Sequence, residues 1–170
     1  MEYLRAKEAI LTCLDGEIQS TALHYLSFLS ANKMCLERGK GYWSDKQYWL
    51  VKYKGEYSCF LQICHPHEKE NTWIVWSDDS GRPWYANPSL EPELKKTALE
   101  NIVFCANCGG SCSPGKTQII FDRTYHHVCR TTFRFTNPNS IAVSCLKELL
   151  LLRINDINRL HSQENGRDIP

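Results

Sequence analysis

The sequence predicts an α+β domain built on a mostly antiparallel sheet with helices packed on one side. Three observations carry this expectation. Segments with helical spacing stand at both ends of the 170-residue chain. Segments with two-residue alternation fill its middle. The order helix, helix, strands, helix, hairpin, helix sets consecutive strands side by side instead of joining them through helical crossovers. A chain of this length buries roughly two-thirds of the surface its unfolded form exposes. One domain over 1–170 is therefore expected, comprising a helical segment at 1–37, an aromatic sheet and helix at 42–104, a cysteine cluster, hairpin and closing helix at 105–160, and a frayed tail at 161–170.

Each element has a local reason. Residues 3–14 set Leu4, Ile10, Leu11 and Leu14 among charges, a short amphipathic helix stopped by Asp15-Gly16. Ser20 or Thr21 can cap a second helix whose wide apolar face of Leu23, Leu26 and Leu29, with Tyr25 and Phe28, runs to about Asn32. After the Gly39-Lys40-Gly41 break, residues 48–53 and 56–64 flank Lys54-Gly55, a two-residue hairpin turn, and 72–77 supply a third strand. Parity puts Tyr57, Cys59, Leu61 and Ile63 on one face of the second strand, which makes Cys59 a core residue. Ser89 can cap a helix through Leu94, Ala98, Leu99 and Ile102. Residues 117–121 and 124–135 form a hairpin around Asp122-Arg123, and Pro138 opens the closing helix, with Ile141, Cys145, Leu149 and Leu152 along one stripe.

Composition narrows the functional classes. Twenty basic and nineteen acidic side chains leave a net charge of +1, which gives no electrostatic footprint for general nucleic-acid affinity. The N-terminal residues Met1 to Glu8 carry two acids and no long apolar core, unlike a secretory signal. No stretch approaches the apolar length of a membrane span. A cytoplasmic location is expected, and there clustered cysteines are more often metal ligands than disulfides. With nine cysteines, an odd number, they cannot all pair within one chain.

The run Cys105-Ala106-Asn107-Cys108-Gly109-Gly110-Ser111-Cys112, answered by Cys129 behind His126 and His127, reads as a metal site. Two cysteines two residues apart, followed by a glycine that permits a tight turn, can aim both sulfurs at one zinc ion about 2.3 Å away. Cys112 and Cys129 complete a tetrahedral shell, the pattern of a structural staple, so the hairpin is expected to bear a zinc knuckle. Strand parity selects the fourth ligand. Tyr125, His127, Cys129, Thr131, Phe133 and Phe135 share one face, marked as buried by the two phenylalanines, while His126 faces solvent. His127 is the substitute ligand. Lys116, Arg123 or Arg130 can balance the charge of four thiolates.

Two further features bear on function. His65 and His67 in Cys64-His65-Pro66-His67 can bind metal or move protons, but no acid or nucleophile sits at a convincing spacing. Aromatic residues are dense, and Trp49, Trp73, Trp76 and Trp84 are the candidate walls of a site for a flat or cationic small molecule. Trp73 and Trp76 have opposite parity, so a regular strand turns only one of them inward.

The succession Tyr53-Lys54-Gly55-Glu56-Tyr57-Ser58-Cys59, Trp73-Ile74-Val75-Trp76, Cys105-x-x-Cys108-x-x-x-Cys112, Val128-Cys129 and Phe135-x-Asn137-Pro138 resembles an uncharacterised family of small cysteine-cluster bacterial proteins. The resemblance covers about residues 22–157 and implies no particular reaction. More weakly, the element order with its tryptophans is similar to gyrase-inhibitory-like small-molecule-binding domains. That class uses a buried acid in an aromatic pocket, and the present sequence offers none at a recognisable place. The expectation is a zinc-stabilised binding or sensor module for a small ligand or a protein partner, with no membrane partner. The alternatives are a knuckle-based nucleic-acid or protein interaction module using Lys116, Arg123, Arg130 and Arg134, and an enzyme using His65, His67, Asp78 or an unligated cysteine.

Overall fold

The computed structural model describes residues 1–40, 47–64, 69–77, 84–86, 88–106 and 114–165. Its elements run α1 (Glu2–Cys13), α2 (Gly16–Ala31), β1 (Cys35–Arg38), β2 (Tyr48–Tyr53), β3 (Glu56–Ile63), β4 (Trp73–Ser77), α3 (Pro92–Glu100), β5 (Ile102–Phe104), β6 (Lys116–Ile120), β7 (Arg123–Thr136) and α4 (Ser140–Asn165). The α+β class holds, and every strand pairing is antiparallel.

The sheet order is β1-β2-β3-β4-β7-β5, with β6 also paired to β7. Long β7 serves both halves. Its last residues pair with β4, from Ile74↔Thr136 to Trp76↔Arg134. Farther back, Val128 meets Phe104 on one edge and Lys116 on the other. The β2–β3 turn has Lys54 at φ 50° and Gly55 at φ 85°. Two consecutive left-handed residues match the twist of the strands they join, so the two-residue hairpin expected at Lys54-Gly55 forms. The β6–β7 turn uses Phe121 and Asp122 in the same way, one residue before the predicted pair.

Alternation divides the sheet into two faces. The first presents Trp49 and Val51, Cys59, Leu61 and Ile63, Trp73 and Val75, and Phe133 and Phe135, all buried. Helices cover this face. Tyr25 of α2 meets Cys59 at 3.6 Å and Trp73 ring to ring at 5.9 Å. Glu2 of α1 accepts the Trp49 indole N–H at 3.2 Å. Leu146, Leu149 and Leu150 of α4 lie over Val75 and Phe135 around a cavity of about 10 Å³.

Several elements differ from expectation for identifiable reasons. β1 and β5 are only four and three residues long, too short for a periodic signal. α2 begins at Gly16, four residues before the predicted cap, because that glycine's φ of 53° turns the chain out of α1 almost at once. α4 is capped by Asn139, whose side-chain oxygen accepts the Ala142 N–H at 2.9 Å, leaving Pro138 outside. Its buried face accordingly includes Ala142, Cys145, Leu149 and Arg153, whereas Ile141 is exposed.

A bulge in the β2–β3 ladder sets Lys52 opposite Tyr57 and Val51 opposite Cys59. It moves Tyr57 off the face shared by Cys59, Leu61 and Ile63 and onto the opposite one, against simple parity.

Candidate functional site

Of the four predicted metal ligands, Cys108 and Cys112 lie outside the described residues. Cys105, one residue past the end of β5, and Cys129 of β7 are half-buried thiols. The Cys105 N–H donates to the His127 carbonyl at 2.6 Å, one step beyond the Phe104↔Val128 pair. Gly115 packs hard against this point, since a Cβ there would stand 2.6 Å from the Cys105 Cβ and 2.8 Å from the His127 carbonyl oxygen. Both ends of the segment bearing Cys108 and Cys112 therefore meet at Cys105. Among the described residues no three His, Cys, Asp or Glu side chains converge in an arrangement that could hold a metal ion.

The parity used to choose Cys129 does not persist along β7. His127 at φ 56° and Thr132 at φ 46° interrupt the alternation. Val128 and Thr132 are consequently fully buried beside Phe133 and Phe135, while Cys129 is half-buried and His126 and His127 are exposed. The Cys129 sulfur lies 3.6 Å from the Thr131 hydroxyl.

The four tryptophans part company. Trp49 and Trp73 are fully buried under the helices, walls of the core and not of an open site. Arg38 lies 4.7 Å above the Trp49 ring, and the Trp73 indole N–H finds no acceptor among the described residues. Trp84 is half-buried, edge-on to Tyr85 at 4.9 Å. It borders the 10 Å³ cavity with Tyr25, Cys59 and Ser77, a space for about one water molecule and no larger ligand. Trp76 stands on the second face of the sheet, half-buried.

That second face is the candidate site. Tyr57 and Phe60 lie 6.1 Å apart, Phe60 stacks on Tyr48 at 5.9 Å with planes 15° from parallel, and Tyr48 meets Trp76 at 6.1 Å. These four rings span β2, β3 and β4 in a row, and none belongs to the core beneath the helices. A cation closes each end, with Lys52 4.8 Å from the Tyr57 ring and Arg134 5.4 Å from Trp76. Lys52 also donates to Glu37 at 2.6 Å. Hydrogen bonds from Lys52 and Lys40 hold the Glu37 carboxyl below its usual range, and the bond to Glu37 raises Lys52. Both groups are charged across the neutral range.

Sequence reading missed Tyr48, Tyr57 and Phe60 because it weighted tryptophans and took each strand as regular. The two-residue turn at 54–55 does not give this row by itself, since regular pairing would set Phe60 opposite Trp49; the bulge beside Tyr57 shifts the register by one and brings Phe60 onto the face of Tyr48. A buried polar cluster was also missed. The Tyr85 hydroxyl bonds Gln118 and lies 2.9 Å from the Thr132 hydroxyl, at the place where β4 and β7 separate. Of the other predicted residues, His65, His67 and Asp78 lie outside the described residues. Arg123 and Arg130 are exposed, Lys116 is half-buried, and Arg134 is laid along Trp76.

A larger hollow of about 430 Å³ lies beside Ser89, Leu90, Glu91, Pro92, Leu94 and Glu148, with no aromatic wall among the described residues. Among the described residues no helix is long and apolar enough to cross a membrane. No family model, no curated protein and no solved structure matches this chain.

Proposed function

We propose that this chain is a binding module whose working surface is the second face of the sheet and whose ligand is a small, flat, anionic aromatic molecule. The row Tyr57–Phe60–Tyr48–Trp76, with a cation at each end, carries the reading. Stacked aromatic faces favour a flat partner. The sequence alone left a cationic partner equally open. Arg134 lies against the Trp76 end ring, and Lys52, paired with Glu37, lies against the Tyr57 ring, so the cationic guanidinium at the Trp76 end favours an anionic group over an added cation there.

A structural zinc ion held by Cys105, Cys108, Cys112 and Cys129 belongs to the same proposal, and the meeting of both segment ends at Cys105 supports it. Bound there, zinc would supply cross-linking and no chemistry at the aromatic row. Purified protein should contain one equivalent of zinc, lost in Cys105→Ser and in Cys129→Ser. Well-folded protein that binds no zinc overturns this part.

The binding reading is tested by titrating a nucleoside monophosphate, its uncharged nucleoside and a quaternary-ammonium arene while following tryptophan fluorescence and melting temperature. The monophosphate should quench and stabilise, the cation should do neither, and Trp76→Phe and Arg134→Gln should each weaken the response. No response to any probe, or one indifferent to Trp76, removes the proposal. Single-stranded oligonucleotides serve as a comparison, since stacking platforms flanked by cations also suit them and their binding falls steeply with salt.

A further inference from the structure

The end of α1 and the end of β3 bring two thiols together, neither of them among the residues of the aromatic row or of the Cys105 corner. The Cys64 thiol donates to the Cys13 carbonyl at 3.1 Å. The Gln47 side-chain amide donates to the Cys13 sulfur at 3.9 Å. Both cysteines are half-buried and both are free thiols. Simple alternation would send Cys64 to the second face with Gln62. Its φ of 45° instead swings the side chain back under α1.

This turn is held from several directions. The Cys64 N–H donates to the Thr72 carbonyl at 2.7 Å and the Ile63 N–H to the Gln47 carbonyl at 3.1 Å. Asn71 and Asp15 are joined by two hydrogen bonds, Asp15 N–H to the Asn71 side-chain oxygen at 2.9 Å and the Asn71 amide to the Asp15 carboxylate at 2.6 Å. A left-handed cysteine is a costly conformation that surrounding structure must over-determine, as it does here.

We infer that Cys13 and Cys64 form a redox-modification site that closes to a disulfide when a low-molecular-weight disulfide such as oxidised glutathione is supplied. The Cys13 thiolate attacks one glutathione sulfur, forming a mixed disulfide and releasing one glutathione thiol. The Cys64 thiolate then attacks the Cys13 sulfur, the mixed disulfide breaks, and a second glutathione thiol leaves. Two protein thiols are oxidised as one glutathione disulfide is reduced, and the protons of both cysteines end on the departing thiols. The order follows from surroundings. Gln47 directs an N–H at the Cys13 sulfur and can support negative charge there during exchange, whereas Cys64 is occupied as a donor and burial pushes its thiol up to about 11.

The closed bond would pin the α1–α2 junction to the β3 end across 51 residues of sequence. The test treats reduced full-length protein with oxidised glutathione, blocks remaining thiols by alkylation, and maps peptides without reduction. The expected product joins the Cys13 and Cys64 peptides and has lost two hydrogen atoms at that pair. Melting should rise by several degrees and return on reduction. Cys64→Ser should stop at a stable glutathione adduct on Cys13. An adduct that persists on Cys13 in the unaltered chain, both thiols remaining alkylatable, or either cysteine joined elsewhere overturns the inference. The unaltered chain decides this by itself if the variant fails to fold.

Discussion

Replacing Arg153 by Met tests how α4 is fastened to the sheet. Arg153 is 1% exposed, although guanidinium groups are among the costliest to bury. It is accommodated because Nη1 donates to Asp156 at 2.8 Å while Nε and Nη2 donate to the Tyr57 carbonyl at 3.1 and 2.9 Å. That carbonyl sits where the β2–β3 bulge disrupts the ladder, so Arg153 satisfies an acceptor that the strand pairing neglects. Met keeps the apolar stem and deletes all the donors. Each hydrogen bond involving a charged group contributes about 1.5–3 kcal/mol. Relief from burying the guanidinium offsets part of the sum, and removing one member of a buried pair costs about 3–5 kcal/mol. A loss near 3 kcal/mol is expected, equivalent to a fall in Tm of about 6–12 °C for a chain of this size. Urea unfolding followed by circular dichroism measures it, with an unchanged denaturant slope confirming that the unfolded state is not the cause. Arg153→Lys should fall between, because one ammonium cannot fork to both acceptors. A loss below about 1 kcal/mol for Met would mean that packing alone holds the helix, and would refute the reasoning.

Other outcomes follow from the same geometry. Gly115→Ala should cost about 1–3 kcal/mol in urea unfolding, because its Cβ would press on Cys105 and on backbone that cannot yield; a neutral result would mean that this corner relaxes freely. Ser77→Ala should lose about 2 kcal/mol, since the Ser77 hydroxyl accepts the Phe133 N–H at 3.1 Å and donates to the Thr131 carbonyl. Burial first, and the nearby Glu148 charge second, push the Cys145 thiol up to about 12 from an ordinary 9. The folded state therefore holds a proton that the unfolded state releases above pH 9, and stability should fall by about 1.4 kcal/mol per pH unit from 9 toward 12. Cys145→Ala should lack this component, and identical pH dependence in the two proteins would dismiss it. Closure of the Cys13–Cys64 disulfide after the first adduct should quicken as pH rises above the ordinary thiol range in stopped exchange assays, because burial holds the Cys64 thiol up.

Much of the fold was legible because patterning and turn chemistry agreed. The β2–β3 hairpin could be read from alternation on either side of Lys54-Gly55, and Cys59 as a core residue followed from the same count. What escaped depends on irregular backbone. Tyr57 changed faces because a bulge inserted one residue, and Val128 displaced Cys129 from the interior because His127 and Thr132 adopt left-handed φ. No side chain at those positions announces such a turn. The candidate site was half legible for a related reason. Parity alone showed that only one of Trp73 and Trp76 turns inward without saying which, and the row that Trp76 joins depends on which residues of three strands stand abreast, since register is a property of pairs.

Long β7 gives the molecule a seam. Three backbone pairs, Ile74↔Thr136, Val75↔Phe135 and Trp76↔Arg134, join the β1–β4 meander to the β5–β7 unit. Beyond Trp76 the Ser77 hydroxyl takes over the ladder's work at Phe133 and Thr131. The β6–β7 hairpin and the β2–β4 meander each consist of short-range pairings that can zip up early, whereas the seam joins residues some sixty positions apart and must close late. Partial opening should then follow the same line in reverse, releasing two cooperative units bridged by α4, and hydrogen exchange at residues 134–136 should report that event before global unfolding.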